Sequence, residues 1–353
     1  MDKFYRQNEL GMHFMQYQAR SFDKYMQTEE RRGKRKMVKT KDAVNDMTVG
    51  TPAKLIIQFM IPVFLGNIFQ QFYNIADSIV AGQFIGVKAL AAIGSTGSLM
   101  FFVTGWLNGL SSGFAILVSQ WFGAKQYDKM RHYVAMSVYL AGGCAVLMTA
   151  GLLIANEPIL RMMNYSAEIM PEVKQYMGII YAGLIVTAAY NSLAAFLRAI
   201  GDSKSPLYFL IISAVINVAL DVVFIVVFGM GVEGCAYATV IAQAISALLC
   251  FIYIVKKFPI LHLTKSDRKI SFQSFGRLLS LGIPMGLQFS ITAIGTIIVQ
   301  GAVNVYGETY MAGFSAAGKL QNMIMTVFVA FGATVATYVG QNRGAGRMDR
   351  VKS

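Results

Sequence analysis

Two aspartates that lie inside apolar stretches are the residues of this chain best suited to chemistry. Asp77 and Asp221 are the only ones among its 18 acidic residues that sit well inside a long apolar segment. A carboxylate in such a place is unfavourable unless it is paired, hydrated or protonated, so it predicts a functional role. Asn217 precedes Asp221 by four residues and therefore shares its face of a helix. Thr239, in the next apolar segment, adds a hydroxyl to the set.

These four side chains predict a site for a small cation. Two carboxyls, an amide and a hydroxyl could ligate Na⁺, because hard cations prefer oxygen ligands. Alternatively, burial and a neighbouring like charge would keep a proton on one carboxyl. Asp77 and Asp221 each lie about eight residues before the end of their segments on the outer side. Thr239 lies about eight residues after the start of its segment on that same side. All three residues are therefore predicted to lie roughly 12 Å below the outer surface, at the rise of a helix. For Asn217 and Thr239 the alternative is an ordinary hydrogen bond to a neighbouring helix.

The elements that must position these residues are long apolar helices. Of the 353 residues, 55% are hydrophobic and 14% are charged, whereas soluble domains carry about 25% charged residues. This composition excludes a typical soluble enzyme, a disordered chain and a disulfide-rich secreted module. A bilayer core requires about 20 apolar residues in a helix. The segments that meet this requirement are 55–82, 90–120, 132–155, 172–199, 206–228, 232–255, 275–305 and 309–340.

The charged residues sort by the side of the membrane on which their loops lie. Lys and Arg crowd the loops on one side, at 125–131, 198–204, 256–269 and 343–352. Loops on the other side are mostly acidic or neutral. Because cytoplasmic loops are enriched in Lys and Arg, both termini are predicted to be cytoplasmic in a multi-pass plasma membrane protein. The net charge of +13 therefore reflects the basic cytoplasmic loops of a protein that lies in membrane lipid. No nucleic-acid partner is expected.

Part of the chain repeats itself. The stretch 61–128 recurs about 221 residues later, so that Gln120 and Gly123 correspond to Gln341 and Gly344. Because about six helices separate the copies, the copies share one orientation, which is the parallel-repeat arrangement of some transporters. The predicted regions are a polar cytoplasmic tail (1–46), a complete six-helix N-terminal lobe (47–257), a basic linker (258–274) and the first two helices of a C-terminal lobe (275–353).

Several motifs resemble those of the multidrug and toxic compound extrusion (MATE) family. They are Ile61-Pro62, the run from Asn74 to Gly82, the turn from Gln120 to Asp128, the run from Leu197 to Asp202, and the run from Gly340 to Ala345. The resemblance extends from about Pro52 to the C-terminus and implies an all-α integral membrane fold with parallel repeats. Full members have twelve helices, so this chain is expected to stop after the eighth.

The resemblance also implies roles for individual residues. In one bacterial and archaeal branch of the family, the positions of Asp77, Asn217, Asp221 and Thr239 build the cation or proton site of the N-terminal lobe. The other branch places an acidic residue in the seventh helix, and the segment 275–305 has none. The resemblance therefore implies ion coupling in the N-terminal lobe.

The function implied by the resemblance is secondary active efflux. Such a protein is an antiporter that uses H⁺ or Na⁺ to export amphipathic or cationic drugs or metabolites. It is not an enzyme, needs no cofactor besides the coupling ion, and is expected to be a monomer in the bacterial inner membrane. The alternatives are a lipid-linked saccharide flippase of the same superfamily and a nonfunctional truncated fragment. A channel would need a continuous polar stripe, which the sequence lacks.

The remaining candidates are weaker. Lys319 and Gln288 are possible residues of a central cavity, although Lys319 could equally snorkel or form a pair. Gly105, Gly109 and Gly113 form small-xxx-small steps that predict a close helix contact. The three cysteines are Cys144, Cys235 and Cys250. They lie in apolar stretches without a CxxC pair and are expected to be packing residues.

Overall fold

The structure is a computed structural model that describes residues 46–163, 165, 169–304 and 308–352. The predicted polar tail, 1–46, lies outside the described residues except for Asp46. Every regular element of the described part is helical. The helices are α1 (Pro52–Phe84), α2 (Val87–Ser95), α3 (Gly97–Gly123), α4 (Tyr127–Met162), α5 (Met170–Ala182), α6 (Leu184–Ala199), α7 (Lys204–Val222), α8 (Val232–Lys257), α9 (Phe272–Asn304), α10 (Glu308–Gly344) and α11 (Met348–Lys352). A π-helical turn (Val223–Val227) continues α7, and a 3-10 turn (Pro259–Leu261) follows α8.

The helices are long and apolar enough to cross a membrane, as predicted. Within the described residues seven helices qualify, with mean hydropathies of 1.5 to 2.7, and the bent pair α5 and α6 makes an eighth span if it is counted as one. The prediction of an all-α integral membrane protein with about eight segments is therefore confirmed.

The structure divides two of the predicted segments. The segment 90–120 is broken near Thr96, where the short α2 ends and α3 begins. The segment 172–199 is bent by 48° between α5 and α6. At the bend, a Cβ on Gly183 would lie 2.5 Å from a methyl carbon of Val240 on α8. The absence of a side chain at Gly183 therefore lets the bent segment pack closely against α8.

The two repeats pack crosswise. In the first repeat, α3 contacts both α9 and α10 of the second repeat, as well as α4 and α6. In turn, α1 of the first repeat packs on α7 and also on α10. Each repeat thus contributes its Pro-bearing helix, with Pro62 in α1 and Pro284 in α9, to the glycine-rich helix of the other repeat.

Glycine pairs bring α3 and α9 together, as the small-xxx-small steps predict. A Cβ on Gly109 would lie 2.6 Å from the Gly286 Cα, and a Cβ on Gly113 would lie 2.6 Å from the Gly282 Cα. Real Cβ atoms do not approach backbone this closely, so the two helices could not keep this distance with larger residues. In a bilayer, helix association depends on such close backbone packing.

We expect Gly109→Ala to destabilise the protein because its methyl group would push α9 away from α3. The expected loss is about 1–3 kcal/mol. Gly142→Ala on α4 is the matched control, because a Cβ there meets nothing within 4 Å. Thermal unfolding of the detergent-solubilised variants measures the difference. Equal stability of the two variants would contradict the described helix contact.

The basic linker is tied to the helices by one aspartate. Asp267 is buried, and its Oδ2 accepts hydrogen bonds from the Thr264 backbone N–H (2.8 Å), the Thr264 hydroxyl (2.6 Å) and Arg131 Nε (3.0 Å). Burial raises the pKa of the Asp267 carboxyl, but the hydrogen bonds from Thr264 and Arg131 outweigh it, so that this pKa lies below its ordinary value. The charged form of Asp267 therefore stabilises the fold.

We expect Asp267→Asn to lower the stability at neutral pH by about 1.5–3 kcal/mol, because hydrogen bonds to a charged group are lost. A carboxyl with a lowered folded pKa stabilises above its unfolded pKa, and this contribution disappears as the pH falls through the folded pKa. The difference from the wild type should therefore shrink in acid. Asp128→Asn is the control, since its side chain is 92% exposed beside the same Arg131. An equal effect of the two substitutions would contradict the stabilising role assigned to the Asp267 carboxylate.

Candidate functional site

The structure places the four predicted site residues in one buried cluster. Asp77 comes from α1, Asn217 and Asp221 come from α7, and Thr239 comes from α8. All four side chains are between 0% and 3% exposed. Thr239 Oγ1 donates a hydrogen bond of 3.1 Å to Asp77 Oδ2. The Asp77 carboxyl also interacts with Asp221 and Asn217. The cluster therefore joins three helices of the first six-helix region.

Most polar atoms of this cluster have no hydrogen-bond partner among the described residues. The unpartnered atoms are Asp77 Oδ1, Asn217 Oδ1 and Nδ2, and both carboxyl oxygens of Asp221. Buried polar atoms are nearly always hydrogen-bonded, because leaving one unsatisfied costs about 1–3 kcal/mol. A concentration of five such atoms on three adjacent residues is therefore unfavourable for the protein alone.

No base in the described part of the chain offsets the charge of the carboxyl pair, Asp77 and Asp221. Among the described residues, no Lys, Arg or His forms an ion pair or a hydrogen bond with either carboxyl. Two neighbouring carboxylates out of water repel each other, and each loses its hydration. A proton on one carboxyl or a metal cation between the two could supply the positive charge that no described base supplies.

One neighbour of the carboxyl pair was missed by sequence reasoning. Cys235 was expected to be only a packing residue, and it is fully buried on α8, but it also interacts with Asp221. The spacing of four residues between Cys235 and Thr239 puts both on one face of α8, which is the signal that could have found it. The thiol is a weak donor and a poor ligand for a hard cation.

The backbone of α7 is irregular next to the site. The π-helical turn begins two residues after Asp221, and the Phe228 N–H closes it by bonding to the Val223 carbonyl at 3.1 Å. Single π turns in α-helices occur often at functional sites, because they shift the register of the helix face. Here the turn rotates the end of α7 relative to the part that carries Asn217 and Asp221.

A cavity of about 280 Å³ opens beyond the site, at the end of the bundle opposite to the basic loops. Its polar lining includes Lys88, Glu172 and Glu233, and Lys88 Nζ pairs with Glu172 Oε1 at 3.0 Å. Val232 also lines this cavity and lies seven residues before Thr239 on α8, which is roughly 10 Å along a helix. The carboxyl pair thus lies below an acidic cavity and is separated from it by about two helical turns.

Gln288, one of the two predicted cavity residues, is not part of the cluster. Gln288 is exposed on α9, and its backbone carbonyl accepts a hydrogen bond from Thr292 Oγ1 at 2.9 Å. The side chain of Lys319 lies outside the described residues. A role in a central cavity stays a prediction for both residues.

We expect Asp221→Asn to raise the stability in a neutral buffer without Na⁺, because the amide removes a like charge and can donate to Asp77. The rise should be on the order of 1 kcal/mol, or about 2–4 °C in the unfolding temperature. Asp202→Asn is the matched control. Asp202 caps α7 by accepting hydrogen bonds from Ser205 N (3.0 Å) and Ser205 Oγ (2.7 Å), so its loss should lower the stability. A marked loss with Asp221→Asn would mean that this carboxylate stabilises the fold.

Comparisons with known proteins agree on one family. Residues 62–223 match the family described as MatE. The chain is 32% identical over 310 residues to the probable multidrug resistance protein YpnP of Bacillus subtilis (strain 168), which covers 87% of the chain and 68% of that protein. It is 30% identical to the probable multidrug resistance protein YoeA of the same organism, over 83% of the chain and 65% of that protein.

A solved structure supports the same fold. An outward-facing multidrug resistance MATE family transporter of the MOP superfamily superposes with a TM-score of 0.81 at 23% identity, over 87% of this chain and 68% of the other. The chain thus spans about two thirds of the length of the curated relatives that it matches. From the identity to YpnP and the shared fold, we conclude that the chain belongs to the MatE family of multi-pass membrane transporters, whose members are not enzymes.

Proposed function

We propose that this chain is a secondary active efflux transporter that exchanges H⁺ or Na⁺ for amphipathic or cationic drugs or metabolites. Multidrug resistance proteins among its relatives support the export of such compounds. The observation that carries the proposed ion coupling is the set of five unpartnered polar atoms on Asp77, Asn217 and Asp221. These atoms, with the Thr239 hydroxyl, form the proposed site of the coupling ion.

The chemistry of the cluster suits a monovalent cation. A proton shared by Asp77 and Asp221 would halve their charge and turn a repelling pair into a hydrogen-bonded one. Na⁺ would instead take oxygen ligands from the same carboxyls, Asn217 Oδ1 and Thr239 Oγ1. Both ions satisfy acceptor oxygens that have no donor among the described residues. Neither ion requires a cofactor.

The site lies on a helix that can transmit its occupancy. The helix α1 carries Asp77 toward α7 and α8, and it also packs on α10 of the second repeat. An ion that draws Asp77 and Asp221 together therefore acts on a helix shared with the interface between the repeats. The ion shifts the conformational equilibrium only by the difference in its affinity for the two states. Moving one elementary charge across a membrane potential of 100 mV supplies about 2.3 kcal/mol to transport. A pH difference of one unit supplies about 1.4 kcal/mol for each proton that crosses.

The proposed topology follows from the loop charges. The end of the bundle with Arg131, Arg198 and Lys256 lies in the cytoplasm, and the end with the acidic cavity faces outward. The outward cavity next to the site then admits the coupling ion from outside, and the ion leaves toward the cytoplasm. The transporter acts as a monomer in the inner membrane, surrounded by lipid.

Asp77→Asn and Asp221→Asn should abolish gradient-driven export of a cationic dye, because an amide neither carries a proton nor supplies a charge to Na⁺. Dye movement is measured in inside-out membrane vesicles with an imposed pH or Na⁺ gradient. Asp128→Asn at the exposed basic end is the control and should transport like the wild type. Stimulation by only one gradient identifies the coupling ion.

Equal amounts of each variant in the membrane must be verified by immunoblotting. Wild-type rates of gradient-driven export in both Asp77→Asn and Asp221→Asn would contradict the proposed site. Export by the wild type that ignores both gradients would contradict ion coupling altogether.

A further inference from the structure

Equivalent residues of the two repeats meet at the basic end of the bundle. A Cβ on Gly123 would lie 1.9 Å from the Gln341 carbonyl oxygen, and a Cβ on Gly344 would lie 1.8 Å from the Gln120 carbonyl oxygen. Gln120 and Gly123 are the repeat equivalents of Gln341 and Gly344, so the contact is reciprocal. Residues 119–123 of α3 and 340–344 of α10 are called the repeat crossing below.

The repeat crossing depends on the absence of side chains. The Gln120 and Gln341 carbonyls already accept helical hydrogen bonds of 2.9 Å from Ala124 and Ala345. Each carbonyl also lies where a Cβ of the opposite glycine would be, which is the kind of close backbone approach that weak Cα–H···O contacts accompany. The C-terminal ends of α3 and α10 are thereby held together. This contact closes the bundle between the two repeats at its basic end.

The side chains at the repeat crossing break its symmetry. Gln341 is fully buried and satisfied at both ends of its amide: Nε2 donates to the Ala199 carbonyl at 2.9 Å, and Oε1 accepts from the Met47 N–H at 3.0 Å. Gln120 is its equivalent, and it is also buried, but its Oε1 has no partner among the described residues. Gln341 alone therefore links three separate parts of the chain.

The backbone of Met47 is held on its other side as well. Asn342 Nδ2 donates to the Met47 carbonyl at 3.1 Å, and Arg350 Nη2 approaches the same oxygen at 3.4 Å. The Met47 side chain is 1% exposed and packs in a small apolar cluster with Phe59 and Tyr338. The segment before α1 thus lies as a strap across the end of α10.

We propose that Gln341 is the clamp of a cytoplasmic gate formed by the repeat crossing. Its amide fastens the end of α10 to the end of α6 and to the strap at Met47, and breaking these bonds releases the crossing toward an inward-open state. That the gate must open in each cycle rests on the proposed transport function. The clamp itself is a property of the resting fold and can be measured without transport.

Backbone hydrogen exchange followed by mass spectrometry tests the clamp without substrate or gradient. In Gln341→Ala, exchange in the peptides covering 119–126 and 340–347 should rise by about tenfold. In Gln120→Ala, the matched repeat equivalent, exchange in the same peptides should stay within about twofold of the wild type. The peptide covering 205–215 of α7 should be unchanged in both variants.

Equal rises in both variants, no rise in Gln341→Ala, or a rise of the same size in 205–215 would overturn the proposal.

If Gln341→Ala does not fold, Gly344→Ala decides, since its methyl group must separate the crossing. Its control is Gly332→Ala on the same helix, where a Cβ meets nothing within 4 Å. Gly344→Ala should raise exchange at the crossing and Gly332→Ala should not. The absence of a rise in Gly344→Ala overturns the proposal. Loss of dye export in the carboxyl variants has no bearing on this outcome.

Discussion

Two buried carboxyls that no described base neutralises are the constraint on which the account of this protein's function depends. Asp77 and Asp221 are buried among helices, where Thr239 donates a hydrogen bond to Asp77 and no described Lys, Arg or His pairs with either carboxyl. A protein stabilised only for its fold would replace them with apolar residues, since an unpaired buried charge is among the most unfavourable features a chain can carry. Under the proposed function, the helices that enclose the pair hold a state whose free energy changes when a cation binds.

The fold places the carboxyl pair on a helix that contacts the other repeat, so that the proposed binding of a cation can affect the contact between the repeats. One helix, α1, contributes Asp77 and also contacts the second repeat through α10. At the basic end, the same two repeats meet again at glycines 123 and 344, where no side chain separates the backbones. The carboxyl pair and the close contact between the repeats are thus joined by α1 and α10, which pack on each other. Packed contacts of this kind switch between discrete arrangements rather than deform continuously.

The sequence predicted most of the fold because a bilayer allows few solutions. Long apolar runs must be helical in lipid, and the aspartates at 77 and 221 were conspicuous against these runs. Gly109 and Gly113 also indicated the close contact with α9. The break near Thr96 and the bend at Gly183 were not predicted, since apolar periodicity continues through both. Cys235 was missed because a small apolar residue suits packing alone, although its spacing of four residues from Thr239 puts it on the same face of α8. The partners of Gln341 were also beyond prediction, because Ala199 and Met47 supply only backbone atoms, which every residue has.

Difference infrared spectroscopy tests most directly whether the carboxyl pair holds a cation. We expect the purified wild type, in buffer without Na⁺, to show the C=O band of a protonated carboxylic acid in a nonpolar environment. That band should disappear when the pH is raised or when Na⁺ displaces the proton, and it should be lost or shifted in both Asp77→Asn and Asp221→Asn. A wild-type spectrum that responds to neither pH nor Na⁺, or a band that is unchanged in both variants, would contradict the account.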